Sequence, residues 1–175
     1  MEKIKVSQDA LYSYLTEHDV KLSRLAELMG KTLPVVSSCF LHHKDMQGRP
    51  RYFTRQNVEV INQVLPQIAA ELRSLLLTFG SDQVRTNSRG RTYDPALIEP
   101  LKAIGQYMNL TALVERVLGW NKHKKEAILV TPSNKTYGNI SEADVLAINN
   151  ELLSVAGVLS SYEVVPDSES SSSSE

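Results

Sequence analysis

The chain has 175 residues, 42% of them hydrophobic, and a net charge of −1, which suits one core or two small ones. No uninterrupted apolar run approaches the roughly 18 to 20 residues that span a bilayer. The opening MEKIKVSQDA has no apolar signal core, and the single cysteine, Cys39, excludes an intramolecular disulfide, so we expect an intracellular, cytoplasmic protein with no membrane partner.

Ser7 is placed to cap a first helix that runs through about His18. A second helix is expected over about Ser23–Met29 and a third over about Leu33–His42. A basic loop, QGRPRYF (47–53), follows. Thr54 then caps a long helix over 55–79, where Val58, Ile61, Leu65, Ile68, Leu72, Leu75 and Phe79 form one apolar stripe. Gly80 is its expected stop, and Pro66 removes one internal hydrogen bond. The stripe reads as a core seam, or as the face of a homodimer through helix 55–79.

After the linker SDQVRTNSRGRTYD, Asp94 and Pro95 signal a new helix start. Helices are expected over about 96–108, 112–118, 122–130 and 142–162. The chain closes on VPDSESSSSSE, an acidic, low-complexity segment expected to be disordered.

The two halves echo one another. Adding 87 carries Val58 to Val145, Ile61 to Ile148, Asn62 to Asn149, Leu65 to Leu152, Ile68 to Val155 and Leu72 to Leu159, while the cap Thr54 lands on Ser141. The preceding stretches, LSRLAELMGKTLPVVSSCFL (22–41) and LTALVERVLGWNKHKKEAILV (110–130), each hold an apolar-periodic segment that ends in Met-Gly or Leu-Gly, then a second short one. We read a tandem duplication.

The stretch 22–41 resembles a helix-turn-helix of the lambda-repressor/Cro-like, or XRE-type, DNA-binding class. Leu25-Ala26 followed by Met29-Gly30 has the spacing of that motif. Ala26 allows close helix packing, and Gly30 suits a turn that needs positive φ. The resemblance spans about residues 8–72 and puts Val36 and Cys39 toward the core. It implies that Thr32, Leu33, Ser37, Ser38 and Leu41 face outward, where such proteins read the major groove. Lys31 departs from the apolar residue usual at its position. Leu33, Pro34 and Leu41 are poor readers of base edges. In the second copy Glu115 replaces the small residue.

Charge distribution fits a polyanionic partner. Residues 1–130 carry 18 Lys/Arg against 13 Asp/Glu, a net of +5, and residues 131–175 carry 1 against 7, a net of −6. Local potential, not total charge, governs such binding. Gly48-Arg49-Pro50-Arg51 resembles the core of a minor-groove AT-hook. It also reads as a loop whose Lys44, Arg49, Arg51 and Arg55 contact phosphates, or as a plain turn. In the linker, Arg85, Arg89 and Arg91 form an arm able to enter a narrow minor groove. In the second copy Asn121 can cap a helix whose first turns hold Lys122, His123, Lys124 and Lys125. Cations there oppose the helix dipole, which a bound phosphate would relieve; the alternative is a solvated basic face.

Nucleotide-binding glycine loops, zinc-ligand spacings and catalytic motifs are missing, so no enzyme, metal or small-molecule cofactor is expected. The expected architecture is all-α. It comprises a first helix-turn-helix domain (1–80), a basic linker (81–93), a second helix-turn-helix domain (94–165) and the acidic tail (166–175). The expected function is double-stranded DNA binding as a bacterial or phage transcriptional regulator. A protein-interaction or assembly module that keeps the fold without DNA is the alternative, and RNA binding by the basic segments is a third.

Overall fold

The computed structural model describes residues 3–78, 85–86, 92–93, 98–118 and 142–166. It is mostly helical. In chain order the described elements are β1 (Ile4–Val6), α1 (Gln8–Glu17), α2 (Leu22–Met29), α3 (Leu33–Leu41), α4 (Arg55–Ser74), β2 (Arg85–Thr86), β3 (Thr92–Tyr93), α5 (Ile98–Ile104), α6 (Leu110–Leu118), α7 (Glu142–Ser161) and β4 (Tyr162–Val164). The chain forms two compact units. One comprises Met1–Ala70 with Ala156–Glu175, and the other Glu71–Val155.

Local chemistry explains several helix boundaries. The Ser7 hydroxyl accepts the Ala10 N–H at 3.0 Å and opens α1. Thr54 does the same for α4 through the Asn57 N–H at 3.1 Å. The Asn109 side chain accepts the Ala112 N–H at 3.2 Å and starts α6. Gly30, at φ 73°, closes α2 in the left-handed region, where a side chain would be strained.

In the first unit, Leu11 and Leu15 of α1, Leu25 and Ala26 of α2, and Val36 and Phe40 of α3 are buried with the first part of α4. Phe40 meets Phe53 edge-on at 4.8 Å and Tyr12 at 5.4 Å. In the second unit, Leu101, Ile104, Met108, Leu113 and Val114 are buried with Val145, Ile148, Leu152 and Val155 of α7. The stripes read from the sequence are core seams in both long helices. Val58, Ile61, Leu65, Ile68, Ala69 and Leu72 are buried in α4, and Val145, Ile148, Leu152, Val155, Ala156 and Leu159 in α7. Of the expected stripe, Val58 to Leu72 is buried, Leu75 is half-buried beyond α4, and Phe79 lies outside the described residues.

Three features depart from expectation. First, α4 ends at Ser74, not near Gly80. Leu77 lies beyond it with its backbone held by a side chain: its N–H donates to Asn149 Oδ1 at 2.7 Å, and its carbonyl accepts from Asn149 Nδ2 at 2.9 Å. Second, α7 reaches the length and mean hydropathy of a membrane-crossing helix. Its middle nevertheless carries Asn149 and a Glu151 that pairs with Arg116 at 2.7 Å. Third, short strands appear. β1 and β4 pair in parallel, with Ile4 opposite Tyr162, Lys5 opposite Glu163 and Val6 opposite Val164. β2 and β3 form a small antiparallel pair.

The β4 strand is held from both sides. The Val165 N–H donates to the Val6 carbonyl at 2.9 Å. On the other side the Val164 N–H donates to Asn62 Oδ1 at 2.7 Å, and its carbonyl accepts from Asn62 Nδ2 at 3.0 Å. A carboxamide has the donor and acceptor of a peptide group, so Asn62 acts as one residue of a neighbouring strand. Removing it strands two backbone groups of the nearly buried Val164. We expect Asn62→Ala to cost about 2 kcal/mol in urea denaturation. The exposed neighbour Gln63→Ala should change stability by about 0.5 kcal/mol or less. Equal losses at both positions would contradict a structural role for the amide.

Candidate nucleic-acid interface

The stretch 22–41 folds as two helices joined by a tight turn. The Gly30 N–H donates to the Glu27 carbonyl at 3.1 Å, and the Lys31 N–H to the Ala26 carbonyl at 2.9 Å. This paired closure is a Schellman motif. Met29, Ala26 and Leu25 face the core, and Lys31 is exposed. Thr32 then caps α3, its hydroxyl accepting the Val35 N–H at 3.4 Å, with Pro34 in the first turn. Thr32 is therefore engaged as a cap at the start of α3. Val36, Cys39 and Phe40 are buried, and Ser37 and Ser38 are half-buried on the other side of the helix. Leu33, Val35 and Leu41 are exposed.

The end of α3 is unusual. His42 adopts φ 56° and ψ 41°, a left-handed conformation that is costly for a non-glycine residue. Its surroundings hold it there. Nδ1 lies 3.1 Å from the Arg51 carbonyl, the ring packs on Tyr52 at 4.6 Å, and Nε2 lies 3.6 Å from an Asp9 carboxylate oxygen. The next residue, His43, donates its N–H to the Ser38 carbonyl at 2.9 Å.

From this anchor the chain makes a β-hairpin. The Arg51 N–H donates to the His43 carbonyl at 3.0 Å, and the Asp45 N–H to the Arg49 carbonyl at 2.8 Å. Lys44 and Pro50 form the bridge between them. Pro50 has no N–H to give, and its partners on either side supply the hydrogen bonds. The turn is built by Asp45. One oxygen, Oδ1, accepts the N–H groups of Gln47 and Arg49, both at 2.9 Å. Gly48 at φ 80° completes the turn with its N–H on the Asp45 carbonyl at 3.0 Å. QGRPRYF is thus the returning arm of an ordered hairpin, and the extended AT-hook reading does not hold. Its backbone is already hydrogen-bonded to the outgoing arm.

The hairpin displays Lys44, Arg49 and Arg51 as exposed residues directly after α3, with Lys31 exposed before it and Arg55 exposed at the start of α4. Met46 sits at the tip, 97% exposed. The one acidic residue in this stretch, Asp45, is largely occupied by the turn and also lies 3.6 Å from Arg49 Nε. The Arg49 backbone N–H, helped by that of Gln47 and by the Arg49 and Arg51 charges, holds the Asp45 carboxyl below its ordinary value. Cys39 is buried, its thiol 3.7 Å from the Tyr52 carbonyl, and burial raises its pKa. That combination suits an inert core residue and not a nucleophile. Among the described residues no group of three or more His, Cys, Asp or Glu side chains is placed to hold a metal ion.

The first-copy candidates Thr32, Ser37, Ser38, Lys44, Arg49, Arg51 and Arg55 therefore fall on one continuous stretch of the first unit, from the start of α3 to the start of α4. Arg89, Arg91, Asn121, Lys122, Lys124 and Lys125 lie outside the described residues, as does the expected helix over 122–130. Sequence reasoning missed Asp45 and His42, which shape the hairpin. The spacing of Asp45 and Gly48 is a turn signal that was available.

No protein family, curated protein or solved structure matches the chain.

The turn makes a pH prediction with a definite sign. A carboxyl with a lowered folded-state pKa stabilises the hairpin fully above its unfolded value. That contribution disappears as pH falls through the folded value. We expect the Asp45 carboxyl carbon and the Gln47 and Arg49 amides to titrate together in NMR, with a midpoint below 3.8. Asp45→Asn should abolish the shared titration. A midpoint at or above 3.8 would contradict the turn as described.

Proposed function

We propose that the protein binds double-stranded DNA as a transcriptional regulator, using α3 and the hairpin that follows it. The carrying observation is the basic hairpin: Lys44, Arg49 and Arg51 project from an ordered scaffold locked to the end of the second helix of a helix-turn-helix pair. Charges on a pre-shaped loop beside a presented helix suit phosphate contacts that orient a domain on a duplex. The outward face of α3 offers two half-buried serines, Ser37 and Ser38, and no Arg, Asn or Gln. We therefore assign most of the affinity to phosphates and little to base edges.

We further propose that the chain arose by tandem duplication and carries two related helix-turn-helix units. Several independent features support this. The helices α4 and α7 are each 20 residues long and start 87 apart. All six buried positions of α7 correspond at that offset to buried positions of α4. Asn62 and Asn149, also 87 apart, each make the same two-pronged bond to a backbone, at Val164 and Leu77. Those two residues are again 87 apart.

A second reading, docking to a protein, draws on the exposed apolar side chains of the same region. Leu33, Val35, Leu41, Met46 and Tyr52 are all exposed there, more than a pure phosphate-binding surface needs.

Fluorescence anisotropy with a 30-bp random duplex across a salt series separates the two. DNA binding predicts that log K falls linearly with log salt, with a slope of about 0.9 per phosphate contact. Lys44→Ala, Arg49→Ala and Arg51→Ala should each lower that slope by about 0.9 while the circular dichroism spectrum stays unchanged. No binding at low salt would overturn the DNA reading and leave docking.

A further inference from the structure

We propose that the two repeats exchange their C-terminal segments, so that each compact unit is completed by the tail of the opposite repeat. The partner that fits the strand slot beside Asn62 is therefore the end of a second copy of the same repeat. This rests on the duplication proposed above and not on DNA binding.

The argument starts from the two asparagines. Translation by 87 carries Asn62 to Asn149 and Leu77 to Val164. If each repeat folded on itself, Asn62 would hold Leu77 and Asn149 would hold Val164. The bonds run the other way: Asn62 holds Val164, 102 residues on, and Asn149 holds Leu77, 72 residues back. Leu77 and Val164 are both buried, at 4% and 2% exposure, so the two clasps seat equivalent residues.

Helix geometry explains why. Asn62 lies twelve residues before the end of α4 at Ser74, which puts that end about 18 Å further along the axis. Three more residues reach Leu77, and an extended chain of three spans only about 10 Å. While α4 is continuous, Leu77 cannot return to its own Asn62. The same distances separate Asn149, the end of α7 at Ser161, and Val164. An unbroken 20-residue helix thus carries its own tail out of reach, and an identical slot elsewhere receives it.

The partition of the chain agrees. The first unit takes Met1–Ala70 together with Ala156–Glu175, and the second takes Glu71–Val155. The two crossings, after Ala70 in α4 and after Val155 in α7, differ from the 87-residue repeat by only two positions. The β1–β4 pairing binds the tail of the second repeat to the head of the first, in register from Ile4 with Tyr162 to Val6 with Val164. Lys3 adds a further bond across the same join, its Nζ 2.7 Å from the Ser160 carbonyl.

The test uses the intact wild-type chain, isotopically labelled for NMR. Exchange predicts inter-strand nuclear Overhauser contacts from Lys5 and Val6 to Glu163 and Val164. Contacts from Lys5 and Val6 to Leu76 and Leu77 would overturn it, as would the absence of both sets. Hydrogen exchange on Asn149→Ala supplies a second readout. We expect the Leu77 amide to lose at least ten times more protection than the Val164 amide. A loss centred on Val164 would sink the proposal. Because neither measurement involves DNA, exchange and DNA binding can fail separately.

Discussion

The first unit depends on one carboxamide that behaves as a piece of backbone. Successive residues of a strand turn their N–H and carbonyl to opposite sides, so β4 needs partners on both: Val165 turns to Val6 of β1, and both backbone groups of Val164 turn away from it. β1 supplies one side, and a single Asn62 side chain, projecting from the middle of α4, supplies the other. A neighbouring strand would have to be three or more residues long and would need a turn to deliver it. The side chain does the same work from a helix that is already rigid. The bond also joins positions 102 apart, so the unit is held by contacts of very long sequence separation. The loop-closure entropy of such contacts must be met before they reward it, which slows folding.

The region from α2 to the start of α4 is governed by a different device, a succession of caps. Gly30 stops one helix, Thr32 starts the next, His42 stops it, Asp45 turns the hairpin and Thr54 starts α4. The caps at Thr32, His42, Asp45 and Thr54 each engage a polar side chain in local structure. The side chains left over are chiefly long cations on the hairpin and, on and around α3, apolar groups beside the half-buried Ser37 and Ser38. That division follows from the local structure, and it shapes the proposed mode of binding: charge from the loop, shape from the helix.

Much of this is legible in the sequence, for identifiable reasons. The stripes of α4 and α7 are visible because helical burial repeats every three to four residues. The caps at Ser7 and Thr54 and the turn at Gly30 are visible because each needs a particular residue type. The end of α4 is not visible. Leu75, Leu76 and Leu77 continue the apolar run, yet the helix stops at Ser74 and the distant Asn149 holds the Leu77 backbone beyond it. β1 and β4 are three residues each and make sense only as a pair, so neither shows a period of its own. Asn62 and Asn149 stand out as equivalent positions in the two stripes, but nothing local reveals what they grip. In the hairpin, the Arg-Pro-Arg sequence draws attention to charge, while Asp45, the residue that shapes the loop, shows only through its spacing to Gly48.

The location of β4 also bears on how the chain is made. A ribosome releases residues in order from the N-terminus. The second unit, Glu71–Val155, has all its residues in hand before Tyr162–Val164 is synthesised. The first unit does not. Its helices are translated first, yet its strand partner comes from the last residues described. Until those arrive, β1 has an open edge and the Asn62 amide has no strand to hold. Domains usually close in the order of synthesis. Here the unit that is translated first is completed by residues 162–164, which are translated after the whole of the second unit.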